Sequence, residues 1–292
     1  MNKNKSFTLI ELLVVIVIIG ILAGVIIIST ASSITKANIT KLKSFDDSVK
    51  NSMLLNLVSE WELDKINGVT TPDAWGSNTG TIGDGVTATT YPTLKTKDAC
   101  VSDGCMSFDG GDYVNLGNSS TIKPTDTITV SIWLNPASVK DGNIHDAIDT
   151  HLGYEIQERN TGYWTWYVHL EVSEWSEIHT VSNTAIANKW QHVVGTYNSS
   201  TGSQKIYLDG DLKTSVVISG NQKILYSTDN NVMIGDVNYH GRYFNGLIDD
   251  VRVYDTELSF AEIRRDYVAG LKSLYTKGLI SKVDFNKSLA RL

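Results

Sequence analysis

The hydrophobic pattern changes character twice along the chain. Leu12 to Ile28 is apolar, with neither charge nor proline, and Glu11 is the one charge between it and the apolar residues from Phe7. Together they reach the roughly 20 residues a bilayer-spanning helix needs. From Ser29 to Val58 there is no Pro or Gly. Ile34, Leu42, Phe45, Val49 and Met53 follow one helical stripe, and Lys36, Lys41, Lys43, Asp46, Asp47 and Lys50 fill the rest of the surface. The pattern predicts one helix over about 7–57, membrane-spanning over about 7–28. At 1.5 Å per residue it is about 75 Å long. Gly20 and Gly24 are its weak points, each costing about 1 kcal/mol.

Past Ser59 the period shortens to two. Ile128, Val130, Ile132 and Leu134 alternate with Thr127, Thr129, Ser131 and Trp133. Trp164, Trp166, Val168 and Leu170 alternate with Tyr163, Thr165, Tyr167 and His169, and Leu247, Asp249, Val251 and Val253 with Ile248, Asp250, Arg252 and Tyr254. Short alternating runs separated by turns such as Asp209-Gly210 predict a β-sandwich. Ser259-Phe260-Ala261-Glu262 is a helix-capping signal. A stop at Gly278 and a restart after Ser281 complete a short helical tail, an oligomer contact or an accessory cap. The fold class is therefore α+β: a long N-terminal helix over 7–57, an all-β antiparallel sandwich over 58–268, and a helical C-terminal tail over 269–292.

Charge and cysteines refine this picture. A net charge of −7 and an acidic pI argue against a nucleic-acid surface. Lys3 and Lys5 place the N-terminus in the cytoplasm, so everything past about residue 30 lies outside. There a disulfide is the natural state of Cys100 and Cys105, closing a short surface loop around Asp103-Gly104. Two cysteines alone make no four-ligand zinc site. Glu11 needs a reason to exist, because a carboxylate in lipid costs about 2.5–3.5 kcal/mol on insertion scales. An ordinary signal peptide fits poorly: its apolar region is shorter and carries no acid.

The stretch Lys5-Ser6-Phe7-Thr8-Leu9-Ile10-Glu11, with the apolar run behind it, resembles the N-terminal signature of type IV pilins and pseudopilins. The resemblance implies a leader of residues 1–6, cleavage between Ser6 and Phe7, methylation of the new Phe7 amine, and Glu11 as the conserved fifth mature residue. The family usually has Gly before the cut. Ser6 departs from that but is small enough for a peptidase site. In a bundle of such helices, the Phe7 ammonium of one subunit neutralises Glu11 of its neighbour and sets the assembly register. The implied partners are other pilin subunits, the prepilin peptidase, the assembly machinery and, before assembly, the inner membrane. The implied location is the cell membrane, single-pass with a cytoplasmic N-terminus, then an extracellular or periplasmic filament.

A second resemblance covers about residues 57–268. Its motifs are Trp61-Glu62-Leu63-Asp64, Ser77-Asn78-Thr79-Gly80-Thr81, Ser107-Phe108-Asp109-Gly110-Gly111-Asp112-Tyr113-Val114, Thr129-Val130-Ser131-Ile132-Trp133, Trp190-Gln191-His192-Val193, Ile206-Tyr207-Leu208-Asp209-Gly210 and Phe244-Asn245-Gly246-Leu247-Ile248-Asp249-Asp250-Val251-Arg252-Val253-Tyr254. They resemble a laminin-G-like, concanavalin-type jelly roll. That fold hosts lectins, adhesion modules, enzymes and spacers.

Three candidate chemistries follow. Alternation puts Trp164 and Trp166 in the core and leaves Tyr163, Tyr167 and His169 on the outer or concave face, where they are candidates for carbohydrate binding. Asp249 shares its strand face with Val251 and Val253, so a buried carboxylate is expected there. Either it caps backbone N–H groups of a turn, the preferred reading, or it joins Asp109 around a structural calcium. Glycosidase chemistry needs two carboxylates on one face. Glu171, Glu174 and Glu177, like Glu155 and Glu158, are spaced by three and fall on opposite strand faces. The sequence thus points to a non-enzymatic type IV pilus subunit displaying a laminin-G-like, adhesive or glycan-binding head. A pseudopilin of a type II secretion system is the alternative, and a membrane-tethered carbohydrate-active enzyme the third reading. No cofactor is required beyond the calcium just considered.

Overall fold

The computed structural model describes residues 9–10, 12–19, 53–236 and 241–292. The chain divides into Met1–Asn51 and Ser52–Leu292. In the first unit, residues 9–10 and 12–19 are helical with exposed apolar side chains, Leu9 at 81% for example. Among the described residues, no helix is long and apolar enough to cross a membrane. Ser6, Phe7, Glu11 and most of the expected 7–57 helix lie outside the described residues. Leu57, expected to end that helix, instead opens a strand.

The second unit is an antiparallel β-sandwich with a short helical tail. The strands are β1 (Leu57–Trp61), β2 (Thr70–Thr71), β3 (Gly80–Ile82), β4 (Thr93–Thr96), β5 (Gly104–Asp109), β6 (Val114–Asn115), β7 (Thr127–Pro136) and β8 (His145–Asp149). Then come β9 (Tyr154–Arg159), β10 (Tyr163–Leu170), β11 (Glu174–His179), β12 (Gln191–Asn198), β13 (Ser203–Leu208), β14 (Asp211–Val217), β15 (Met233–Ile234) and β16 (Asn245–Tyr254). One sheet runs β14-β13-β12-β7-β16-β5-β4, with β1 also on β16; the other runs β11-β10-β9-β8-β15-β6-β3-β2.

The core lies between the sheets and follows the predicted alternation. Ile128, Val130, Ile132 and Leu134 of β7 meet Trp164, Trp166 and Val168 of β10 in one cluster, all fully buried. Trp166 needs a hollow opposite it, and Gly195 of β12 supplies it: a Cβ there would stand 2.2 Å from the indole. The Trp166 indole N–H donates to the Thr196 carbonyl at 3.1 Å, and Trp61 donates to Asn78 at 2.7 Å. The large aromatics thus bury their polar atoms already paired.

Helix α1 (Phe260–Thr276) starts with the expected capping box between Ser259 and Glu262, and α2 (Lys282–Leu289) starts at Ser281. The helical tail therefore begins nine residues before position 269. Helix α1 lies on the outer face of the first sheet, where Tyr267, Leu271 and Leu274 join Trp133, Trp190 and the Cys100–Cys105 loop in a second cluster. Gly270 brings the helix close, since a Cβ there would lie 2.3 Å from Trp133.

Two bulges redirect side chains. In β16, Asp249 pairs with Trp133 but Arg252 pairs with Ser131, so one extra residue is absorbed, and Asp250 sits at φ 47°. The strand flips phase there. Ile248, Val251 and Val253 face the core, whereas Leu247 packs on the cluster under α1. Asp249 therefore does not share a face with Val251 and Val253, contrary to strict alternation. In β8, Asp146 pairs with Gln157 and Ile148 with Ile156, so Ala147 and Ile148 both enter the core.

Candidate ligand-binding face

The outer face of the second sheet carries polar and aromatic groups in register. One row crosses the strands as Glu177, Tyr167, Glu155 and Asp149, from β11 to β8. The next runs His179, Thr165, Gln157 and Asp146. A third, shorter row pairs Trp175 with His169. The β8 bulge makes this possible. Residues three apart on a regular strand point to opposite sides, but the extra residue turns Asp146 and Asp149 to the same one.

The two ends of the face differ in exposure. At the β10–β11 end, Trp175 is 42% exposed and sets its ring against Tyr167 and His169 at 6.0 and 4.9 Å between centroids. Arg159 donates to the Tyr167 hydroxyl at 2.7 Å and lies over its ring, while Tyr163 packs on His179. At the β8–β9 end, Asp146, Asp149, Glu155 and Gln157 are all buried. Burial, then the neighbouring Asp149, pushes the Asp146 and Glu155 carboxyls well above the usual range; burial also raises Asp149, to about 7. Asp149 and Glu155 face each other across the β8–β9 pair.

The structure places Tyr163, Tyr167 and His169 on this outer face, but only Tyr167 and His169 meet at Trp175; Tyr163 packs on His179, four residues or about 13 Å along β10 from Tyr167. Tyr167 and His169 are nevertheless only 9% exposed, and Trp175 presents the open ring. Sequence reasoning missed Asp146, Asp149 and Gln157 and set Glu155 aside. Glu158, three residues on, pairs with Trp164 and His145 on the other side of the strand. The signal in His145-Asp146-Ala147-Ile148-Asp149 is legible only once the bulge is known.

Asp109 and Asp249 do not meet. Asp109 pairs with Asn245, four residues before Asp249 on β16, or about 13 Å along a strand. The Asp249 carboxylate accepts hydrogen bonds from the Val101 and Ser102 amides at 2.7 and 2.9 Å and from the Ser102 hydroxyl at 2.6 Å. It caps a turn. That turn is the Cys100–Cys105 disulfide loop, with Cα atoms 5.4 Å apart. The expectation of a surface loop fails, because both cysteines and Val101 are buried beneath α1. The loop carbonyls are satisfied from the helix. Ser273 donates to Val101 at 2.5 Å, and Lys277 donates to Cys100 and Val101 at 3.2 and 2.9 Å and also to Ser102. Cys100, Cys105 and Asp249 cluster as metal ligands do. However, both sulfurs are spent in the disulfide and the carboxylate already has three donors, so the group fits no metal.

A two-layer sandwich with a polar and aromatic outer face defines a lectin-like β-domain. The chain belongs to the concanavalin A-like lectin/glucanases superfamily, whose family model matches residues 108–264, more than half of it. Residues 1–27 match the prokaryotic N-terminal methylation motif, so the chain joins that motif to a laminin-G-type domain. Among solved structures it is similar to the binding domain of botulinum neurotoxin serotype D, at 19% identity over 76% of this chain and 53% of that one, with TM-score 0.57. The binding domain of Paraclostridial Mosquitocidal Protein 1 gives 16% identity over 75% and 53%, with TM-score 0.57. The serotype D ligand-binding domain in complex with N-acetylneuraminic acid gives 19% over 76% and 53%, with TM-score 0.53. At these identities the likeness is one of fold, and the chain spans about half the length of the structures it matches. A comparison with curated proteins returns no match.

Proposed function

We propose that this chain is a subunit of a type IV pilus-like filament. It assembles through its N-terminal segment and holds out a concanavalin-like head that binds glycans on the Trp175 face. The carrying observation is the fusion itself: a methylation motif over 1–27 and a lectin-superfamily sandwich over 108–264. The motif supports pilin-type assembly, and the secretion pseudopilin shares that mechanism. The head of about 240 residues favours display over a short periplasmic piston.

Binding rather than catalysis is the reading for the head. Glycosidase carboxyls stand about 5–5.5 Å apart in retaining enzymes and further in inverting ones. Asp146, Asp149 and Glu155, the carboxyls that share this face, are all buried, away from the open Trp175 ring where a sugar would lie. An exposed Trp beside Tyr, His and Arg suits stacking on a sugar ring with polar groups at its edge.

Glu11→Val tests assembly. Replacement relieves about 2.5–3.5 kcal/mol of insertion penalty, so the variant inserts and is cut normally. Without a partner for the neighbouring Phe7 amine it stays out of filaments. Mass spectrometry of the N-terminal peptide should give a mature start at Phe7, and immunogold micrographs should show filaments with wild type only. A start at Met1, or filaments containing Glu11→Val, would overturn the assembly mechanism.

A further inference from the structure

The helical tail reverses the charge of the chain it ends. The net charge is −7, yet residues 269–292 hold five of the 25 Lys and Arg and one of the 32 Asp and Glu. Lys277 is taken up by the carbonyls of the disulfide loop. Lys272, Lys282, Lys287 and Arg291 are exposed. A local excess of one sign draws in ligands of the other.

Two of these cations border a cleft. Helix α2, the β11–β12 connection and the β13–β14 turn surround cavities of about 400 and 100 Å³. Lys189, Asp209, Tyr267, Ser288 and Arg291 line both, so the two are parts of one cleft. The larger part is in the size range of small-ligand pockets. It adds the Asn183 amide and exposed apolar edges at Val181, Ile186 and Leu212. The tail supplies one wall, so the two sheets alone do not make this cleft.

The charges in the cleft do not cancel. Lys189, Lys213, Lys287 and Arg291 line it with Asp209, Asp211 and Asp284. Each acid already has a donor. Asp211 pairs with Lys213 at 3.4 Å, Asp209 accepts the His192 amide at 3.0 Å, and Asp284 accepts the Ser281 hydroxyl at 2.6 Å. Lys189 comes from the sheet connection, Lys287 and Arg291 from the tail, and none of the three has an ion pair among the described residues. With every acid ionised, one net positive charge is left. Burial pushes the Asp209 carboxyl up, which adds to that excess.

This balance selects the ligand. One carboxylate neutralises a single positive charge, whereas a phosphate dianion overshoots beside Asp209 and Asp211. The planar fork of Arg291 matches a carboxylate. Amide, hydroxyl and carboxylate groups around it suit ring hydroxyls, and the apolar edges suit the C–H face of a sugar ring. We propose that this cleft binds an acidic sugar, a pyranose with one carboxylate, held at that group by Arg291 and Lys189. Trp175 lines neither cavity, so the site goes beyond the Trp175 face and does not rest on it.

Saturation-transfer NMR on the full chain in a non-ionic detergent tests this with glucuronate, glucose and glucose 6-phosphate. Glucuronate should bind about tenfold more tightly than glucose and more tightly than the phosphate. Arg291→Gln alters an exposed side chain, so it should melt with the wild type while glucuronate weakens about tenfold. Lys272→Gln changes a tail cation that lines neither cavity and should leave glucuronate binding unchanged. No glucuronate signal up to about 10 mM overturns the proposal. So do equal affinities for glucuronate and glucose, tighter binding of the phosphate, undiminished binding by Arg291→Gln, or an equal loss in Lys272→Gln.

Discussion

The two outer faces of the sandwich treat buried charge in opposite ways. On the first sheet, Arg252 reaches Glu60 at 2.5 Å, Asp266 at 2.8 Å and Asp250 at 3.4 Å, while Asp266 meets His192 at 3.4 Å. Helix α1 seals this network and the disulfide loop. On the second sheet, Asp146, Asp149 and Glu155 share a face with no ion pair among the described residues, beside aromatic side chains that grade out to solvent. The same two-layer fold thus spends one face on its own cohesion and leaves the other with unspent polar chemistry. Each bulge serves its face: that in β16 turns Asp249 towards the disulfide loop, and that in β8 gathers the acids.

Arg252 gives the largest test of the contrast. Arg252→Met keeps the stem but strands Glu60, Asp250 and Asp266. Removing one partner of a buried ion pair costs about 3–5 kcal/mol. Chemical denaturation should show that loss. A loss below 1 kcal/mol would mean the network is solvated and the contrast between faces false.

Acid should expose the same network by its sign. Burial alone would raise the Asp266 carboxyl, but Arg252, then His192 and Ser131, hold it well below the usual range. A depressed folded pKa contributes stability that is present above the unfolded value near 4 and is lost as pH falls below it. Each unit of depression is worth about 1.4 kcal/mol. Melts in EDTA between pH 5 and pH 2 should fall more steeply for wild type than for Asp266→Asn. Parallel curves would remove Asp266 from the acid response.

Most of the sandwich was legible in the sequence because alternation needs only regular strands. The rows in β7 and β10 stand as read, and so do the helix starts at Ser259 and Ser281, where a side chain caps a backbone amide three residues on. What alternation cannot see is an inserted residue. Asp249 was placed on the core face, and the acids of β8 were not linked, for that one reason. The disulfide pair was legible from spacing and compartment. Its burial was not, since it depends on a helix 170 residues later in the chain. Of the face residues, Tyr163, Tyr167 and His169 were legible by parity, whereas the cover over Tyr167 and His169 comes from Trp175 of β11.

The disulfide offers a smaller effect on the cohesive face. Its loop is short, so the constraint is worth about 2 kcal/mol. Replacing both cysteines with Ser should lower Tm by about 4–8 °C. The loop should stay docked through Asp249 and Lys277, and glycan binding on the far face should be unchanged. A coupled loss of binding would show that the two faces are not independent.

The smallest expected effect separates function from structure on the open face. Trp175 is 42% exposed and touches Tyr167 and His169 only at ring edges. Trp175→Ala uncovers part of those two rings, and stability should fall by about 1 kcal/mol. If the ring stacks on a sugar, its loss should cost about 1 kcal/mol of affinity, roughly fivefold in Kd. A glycan array that includes sialylated sugars would identify the ligand for wild type, and titration would compare the variant. Trp164→Ala is the structural counterpart: that ring is fully buried, and its loss should cost about 3–5 kcal/mol of stability. Equal affinity in wild type and Trp175→Ala would move the glycan site off this face, and a large Tm loss in Trp175→Ala would return the ring to the core's account.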